Sequence, residues 1–272
     1  MNLLLRLLTA LCLIVSAPVF AEDGDLTEKE SEAVQLAIDR GLALYNYDQA
    51  AWHTTDTIRE DVKDLAASGI RGWVTTETDD GFLTTFWRPK GSSYVGAYSA
   101  IWNPDGVTDR QILSGDKTVL SAEQISLIRA RQTVIGAKME IERCSKSSFN
   151  TVILPPKSED EPILVYFLVP QANFKAIPMG KHYRFEVKDN KVVSHRSFTN
   201  SCIDLQLTTD GAKGKPAALG ITHLLDPVPT EVHIFSAFAA RLPIYVSTTS
   251  NGFHWSVEIS GGVPRVRKVR RP

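Results

Sequence analysis

Cysteine is scarce in this chain, with three residues in 272, which excludes the disulfide-dense scaffolds of small secreted domains. No C-x-x-C spacing occurs, so nothing marks a redox pair with a lowered thiol pKa. No long apolar run follows residue 21, and the one before it falls short of the roughly 20 residues a bilayer span needs. Charge of one sign is missing too: the formal net charge is −1, so bulk electrostatics favour neither nucleic acid nor an acidic polymer as partner. The G-x-S-x-G elbow, the H-E-x-x-H zinc helix, the Walker loop and G-x-G-x-x-G are all absent. Gly214-Lys215 runs into Pro216 and cannot cradle a phosphate. No cofactor is indicated.

The amino terminus reads as a cleavable secretory signal. Arg6 supplies the cationic region, residues 7–15 the apolar core, and Val19-Phe20-Ala21 the small-residue cleavage site. Cys12 follows the bulky Leu11 and is no lipid-attachment site. Cleavage after Ala21 leaves 251 residues at charge −2, and two cysteines, Cys144 and Cys202. In an oxidising compartment such a pair is expected to form a disulfide, closing a loop of about 59 residues for roughly 4 kcal/mol in the chain-entropy model.

Thr27-Glu28-Lys29-Glu30 has the form of a capping box, and Val34, Ile38, Leu42 and Tyr45 draw one apolar stripe after it. The pattern predicts a helix ending near Tyr47, then a second from Thr55-Asp56 to a Gly69 cap. Residues 72–78 and 82–88 flank the turn Asp79-Asp80-Gly81, and residues 94–102 and 107–113 flank Asn103-Pro104-Asp105-Gly106, so two hairpins follow. Ser121-Ala122-Glu123-Gln124 announces another helix, carried by Ile125, Ile128, Ile135 and Met139.

Strands are predicted over 149–154, 163–169, 181–188, 191–198, 221–225, 231–240, 244–248 and 253–259, with 208–218 a surface loop. No helical spacing is evident between the later strands, so the sheet is expected to be mainly antiparallel. The fold class is α+β: amino-terminal helices on antiparallel sheet and a nearly all-β carboxy-terminal half. Residues 22–272 form one exported domain or two subdomains, 22–141 and 142–272.

Three polar clusters are candidates for chemistry. His223, Asp226, Glu231 and His233 lie within eleven positions. On a strand, Glu231 and His233 would share one face, and two imidazoles with a carboxylate suit a hydrolytic metal, although the spacing matches no metal motif. Alternatively the acids flank the turn of Pro227 and Pro229, and the histidines are ordinary strand residues.

If Asp189-Asn190 is a two-residue turn, Lys188 pairs with Lys191 and Arg184 falls opposite His195. His182, Arg184, Glu186, His195 and Ser197 then share a polar face, suited to an anionic ligand or simply wet. Tyr183, Phe185, Val187, Val192 and Phe198, with Arg196 among them, face the core. Third, Asp48 and Asp56 bracket His53 at the helix corner: a carboxylate there fixes the imidazole tautomer for general base work, or Asp56 is simply an N-cap and Trp52 the hydrophobic plug of the corner.

The last eight residues hold Arg265, Arg267, Lys268, Arg270 and Arg271. They form a solvated tail or edge strand kept soluble by charge, or make weak contact with an anionic envelope surface at about 1 kcal/mol per basic residue.

The segments FNTVILPP, YFLVPQ and THLLDPVPTEVHIF resemble parts of a family of exported bacterial proteins to which no activity attaches. The resemblance covers the carboxy-terminal half and implies a Gram-negative envelope location. Two functions stay open: a periplasmic binding or interaction protein, and a small-substrate hydrolase using His223, Asp226, Glu231 and His233.

Overall fold

Thr27 begins the fold as a helix cap. Its hydroxyl accepts from the Glu30 N–H at 3.3 Å, and its own N–H donates to Glu30 Oε2 at 2.9 Å. The helix it starts, α1 (Glu28–Asp61), runs for 34 residues without interruption, about 51 Å. The predicted break after Tyr47 is absent. No Pro or Gly interrupts 42–61, and the hydroxyls of Thr54, Thr55 and Thr57 bond back to the carbonyls of Ala50, Ala51 and Thr54 at 2.6, 2.6 and 2.9 Å. These β-branched residues thereby satisfy themselves on the helix. Asp56 caps nothing and pairs with Arg59 at 3.2 Å, while Trp52 is half exposed rather than a plug.

The computed structural model describes residues 25–208 and 216–269. The predicted signal segment, residues 209–215 of the expected loop, and Arg270 and Arg271 lie outside the described residues.

After α1 come β1 (Gly72–Thr78), β2 (Gly81–Lys90), β3 (Ser93–Asn103) and β4 (Gly106–Ile112), an antiparallel meander with both predicted turns in place. Helix α2 (Ala122–Gly136) starts at its Ser121–Gln124 capping box. A second sheet has the order β5 (Asn150–Leu154), β6 (Ile163–Leu168), β8 (Tyr183–Lys188), β9 (Lys191–Ser197); β7 (Ala176–Pro178) pairs instead with β10 (Asp204–Gln206).

The third sheet contains β11 (Leu219–His223), β12 (Ile244–Thr248), β13 (His254–Ser260) and β14 (Val263–Val269) in chain order. Between its first two strands lies α3 (Glu231–Ala240), where a strand was expected. β11 and β12 are therefore parallel, the one parallel pair among the described residues, and the other pairings are antiparallel. Residues 231–240 misled because they are apolar almost all round, and such a helix, buried on every side, has no amphipathic period. The chain is of the α+β class.

The second sheet is buried on both faces. Val165, Phe185 and Val187 pack under α2, whereas Leu164, Tyr166 and Leu168 join Leu44 of α1, Ile234 of α3 and Trp255 of the third sheet in the main core. That core draws on both parts of the chain, 22–141 and 142–272. Cys144 and Cys202 form the expected disulfide, with Cα atoms 5.5 Å apart. Arg265, Arg267 and Lys268 belong to the edge strand β14, and Lys268 is buried, with Nζ 2.8 Å from Glu30 Oε1 and 3.7 Å from the Phe253 ring centroid. Among the described residues no helix is long and apolar enough to cross a membrane.

Candidate functional site

The first two sequence clusters meet in one place, through a helix rather than a strand. Glu231 stands in the first turn of α3, where the helix dipole favours a carboxylate. Its Oε1 accepts from Arg184 Nη1 at 2.6 Å and from the Tyr166 hydroxyl at 3.1 Å. Arg184 also reaches Glu186 Oε1 at 3.0 Å. Glu231 of α3 thus reaches the polar face of β8, where Arg184 and Glu186 are largely shielded rather than simply wet. Burial works against the Arg184 charge, but Glu231, Tyr166 and Glu186 together outweigh it and raise the guanidinium pKa. Tyr166 is pushed well up by burial and by Glu231.

Beside this pair lies a second. Arg196 holds Asp226 in a bidentate fork at 3.0 and 2.6 Å, and His223 Nε2 lies 2.8 Å from Asp226 Oδ2. Burial alone would raise the Asp226 carboxyl; the bonds from His223 and Arg196 reverse that and leave it lowered.

The expected sharing of a face by Glu231 and His233 fails because two positions on a helix point to different sides. His233 instead turns its ring edge-on to His223, centroids 4.7 Å apart. His233 Nδ1 accepts from the Thr230 N–H at 3.0 Å, so the neutral ring carries its proton on Nε2. Burial pulls its pKa down to about 3. Among the described residues no group of three or more His, Cys, Asp or Glu side chains is placed to hold a metal ion.

The Arg184–His195 pairing is also corrected. Lys188 does pair with Lys191, but a bulge between Glu186 and Val187 shifts the register, placing Arg184 opposite Arg196 and Phe185 opposite His195. The extra residue moves every later side chain of β9 to the other face. Arg196 thereby enters the cluster, whereas His195 stacks on Phe185 at 5.9 Å. His182 is fully buried: Nδ1 accepts from the Val169 N–H at 3.0 Å and Nε2 donates to the Pro178 carbonyl at 2.9 Å. Both nitrogens are spent on backbone, and burial lowers the ring pKa to about 4.

The third sequence cluster opens onto a cavity of about 820 Å³. Tyr45, Asn46, Gln49 and His53 line it from one face of α1, a stripe set by helical spacing. Trp102 and the β3–β4 turn close one end, and Phe238 and Arg241 from the end of α3 close the other, with the β13–β14 turn alongside. Tyr45 stacks on Phe238 at 4.6 Å and 16°, and His53 lies parallel to Trp102 at 5.8 Å and 5°.

Arg241 ends α3 in the left-handed conformation, φ 53°, where most L-residues lose roughly 1–2 kcal/mol. Among the described residues, the side chains of Tyr45, Asn46, His53 and Arg241 have no hydrogen-bond or ion-pair partner. Asp48 stays outside the cavity lining, and burial pushes its carboxyl up to about 6.

Sequence reasoning missed Arg196, Tyr166, Trp102, Phe238 and Arg241. The missable signal was local for Arg241 alone: Leu242-Pro243 after it marks the helix stop. The others arrive through sheet register and long-range packing. Comparison of the chain with protein-family models, curated proteins and solved structures returned no match.

Proposed function

We propose that the chain is an exported periplasmic protein that binds a small ligand in the cavity between α1, the β3–β4 turn and the end of α3. The observation that carries this reading is how polar groups are divided between the two sites. In the buried cluster the charged side chains of Arg184, Glu231, Arg196 and Asp226 are paired with one another, and among the described residues only single nitrogens, Arg184 Nε and His233 Nε2, are left there without a bond. In the cavity, the polar groups of Tyr45, Asn46, His53 and Arg241 make no hydrogen bond or ion pair to another described residue, and they stand among aromatic walls in a volume typical of small-molecule sites. Export is supported by the signal-like segment 1–21, by the Cys144–Cys202 pair and by the family resemblance.

The test is nuclear magnetic resonance of the mature protein titrated with a fragment library of neutral, anionic and aromatic compounds. Fragments should shift the side-chain amides of Asn46 and Gln49 and the Trp102 indole, and the groove-filling variant Asn46→Trp should abolish the response. Shifts confined to other regions would overturn the reading.

A hydrolase at His223, Asp226, Glu231 and His233 is the second reading, favoured by the 2.8 Å contact between His223 and Asp226, which could tune an imidazole base. Hydrolysis of nitrophenyl esters that disappears in His223→Asn would put it first. Surface contact by the basic terminus is supported by the exposure of Arg265 on β14. Binding to anionic vesicles at low salt that survives Arg265→Gln with Arg270→Gln and Arg271→Gln would dismiss that contact.

A further inference from the structure

Resting on the binding reading, we infer that the ligand of the α1 cavity is a short neutral oligosaccharide, bound along the helix with a ring at each aromatic end. Tyr45 and His53 are eight residues apart on α1, so the two ends are about 12 Å apart along its axis. That is longer than a single sugar ring. Each end has a fixed aromatic surface, since the half-buried Tyr45 ring is backed by buried Phe238 and the half-buried His53 ring by buried Trp102. The apolar C–H face of a pyranose packs on such a ring, whose π-face is electron-rich.

Between the ends stand the Asn46 and Gln49 side chains. A primary amide offers two donor hydrogens and an acceptor oxygen in one plane, and sugar hydroxyls are likewise donors and acceptors at once. A flat aromatic ligand would stack on one end and leave the Asn46 amide without a partner, at the cost of an unpaired polar group, whereas Gln49 already bonds the Asp48 side chain. An anion would need concentrated positive charge. Among the described residues the cavity lining has one Arg or Lys, Arg241, beside Asp105 and Glu258, and Glu258 is already held by Arg267 at 2.8 Å. Arg241 is exposed and lies at the Phe238 end, where its forked donors suit a pair of neighbouring hydroxyls.

The experiment is isothermal titration calorimetry on the mature disulfide-bonded chain. The probes are trisaccharides of glucose, N-acetylglucosamine and mannose, the corresponding monosaccharides, and 4-hydroxybenzoate and indole as aromatic controls. One trisaccharide should bind 1:1 at least tenfold more tightly than its monosaccharide. Tyr45→Ala and Asn46→Ala should each weaken it tenfold or more. Trp102→Ala risks the fold because Trp102 is buried, so Asn46→Ala, on the helix surface, carries the test.

Aromatic compounds binding in the cavity while every trisaccharide fails would overturn the sugar assignment and leave the binding reading standing. If neither class binds and the Asn46 and Gln49 amides respond to nothing, both fall. A trisaccharide bound equally well by the Asn46→Ala and Tyr45→Ala variants would place the sugar elsewhere and overturn the assignment.

Discussion

Arg184 on β8 and Glu231 at the start of α3 meet at 2.6 Å, with side chains 14% and 7% exposed, and so tie the second sheet to the helix that crosses over the third. Charges this deep are costly to bury unless paired, and removing one strands its partner. Glu231→Leu should therefore cost about 3–5 kcal/mol, as should Arg184→Met. The double variant should recover part of the loss, since an apolar pair of similar volume is often neutral. Urea unfolding of the three variants measures this; a double variant at the sum of the singles would mean that the two side chains do not act as a pair.

Much of this was legible in local chemistry and little in periodicity. The capping boxes at Thr27 and Ser121 and the turns at Asp79-Asp80 and Asp189-Asn190 are short-range devices, and they stand where the sequence predicts them. What failed was hydrophobic counting. The buried face of α1 includes Ala37, Gly41, Ala50, Thr54 and Thr57, whose small or polar side chains carry no apolar signal. The bulge after Glu186 is equally silent in sequence, yet it decides that Arg196 and not His195 joins the ionic cluster.

Gly41 records how close α1 and α3 come. A Cβ there would clash with Ile234 Cβ and lie 2.8 Å from the Glu231 carbonyl oxygen. Two effects oppose each other in Gly41→Ala: about 1 kcal/mol of helix propensity is gained, and overpacking costs about 1–3 kcal/mol. With backbone among the clashing atoms, overpacking should win and the variant should be destabilised. Ile234→Ala, which keeps the Cβ contact but removes Cγ2, itself 2.8 Å from the new Cβ, should make Gly41→Ala somewhat less costly in a double-mutant cycle than it is alone. Stabilisation by Gly41→Ala alone would show that the helices can separate freely.

Acid should weaken the fold through two buried histidines; the loss is partly offset by Asp48, whose carboxyl, raised to about 6 by burial, is protonated in the native chain first. Burial lowers His182 to about 4 and His233 to about 3, against about 6.5 for an unfolded imidazole. Below that value the unfolded chain binds protons that the native chain does not, so stability is fully present above pH 6.5 and falls as pH drops toward the folded values. Each ring accounts for about 1.4 kcal/mol per pH unit across that window. Asp226, lowered by His223 and Arg196 against the opposing effect of burial, adds its own loss only below about pH 4. Urea midpoints should decline from pH 7 to pH 5, and histidine ring spectra should show His182 and His233 still neutral at pH 5. Either ring titrating near 6.5 would refute the account.

The basic terminus is part of the frame. Lys268 is clamped between Glu30 and the rings of Phe253 and Trp255, and β14 pairs with β13 along its whole length. Deleting 265–272 should abolish cooperative unfolding. Lys268→Met, which keeps the aromatic packing and loses the charged bond to Glu30, should cost about 2 kcal/mol. Circular dichroism melts decide between these outcomes, and a native-like melt of the truncated chain would demote β14 to an appendage.

The disulfide bears on both the fold and the compartment. Residues 137–149 connect α2 to β5 without regular structure. They are held by Cys144–Cys202, by Lys181 Nζ at 2.7 Å from Glu142 Oε2, and by the Tyr183 hydroxyl, which bonds the Glu142 N–H and carbonyl at 3.1 Å each. Reduction leaves those polar ties in place and releases the constraint on a loop spanning 58 residues, so stability should drop by about 4 kcal/mol while the fold persists. Hydrogen exchange should rise first in 137–149. The mass of the protein extracted from whole cells should match cleavage after Ala21 with two hydrogens lost at Cys144 and Cys202. A full-length, reduced mass would remove the oxidising compartment from the argument, because two thiols 58 positions apart would then have no reason to pair in the cell.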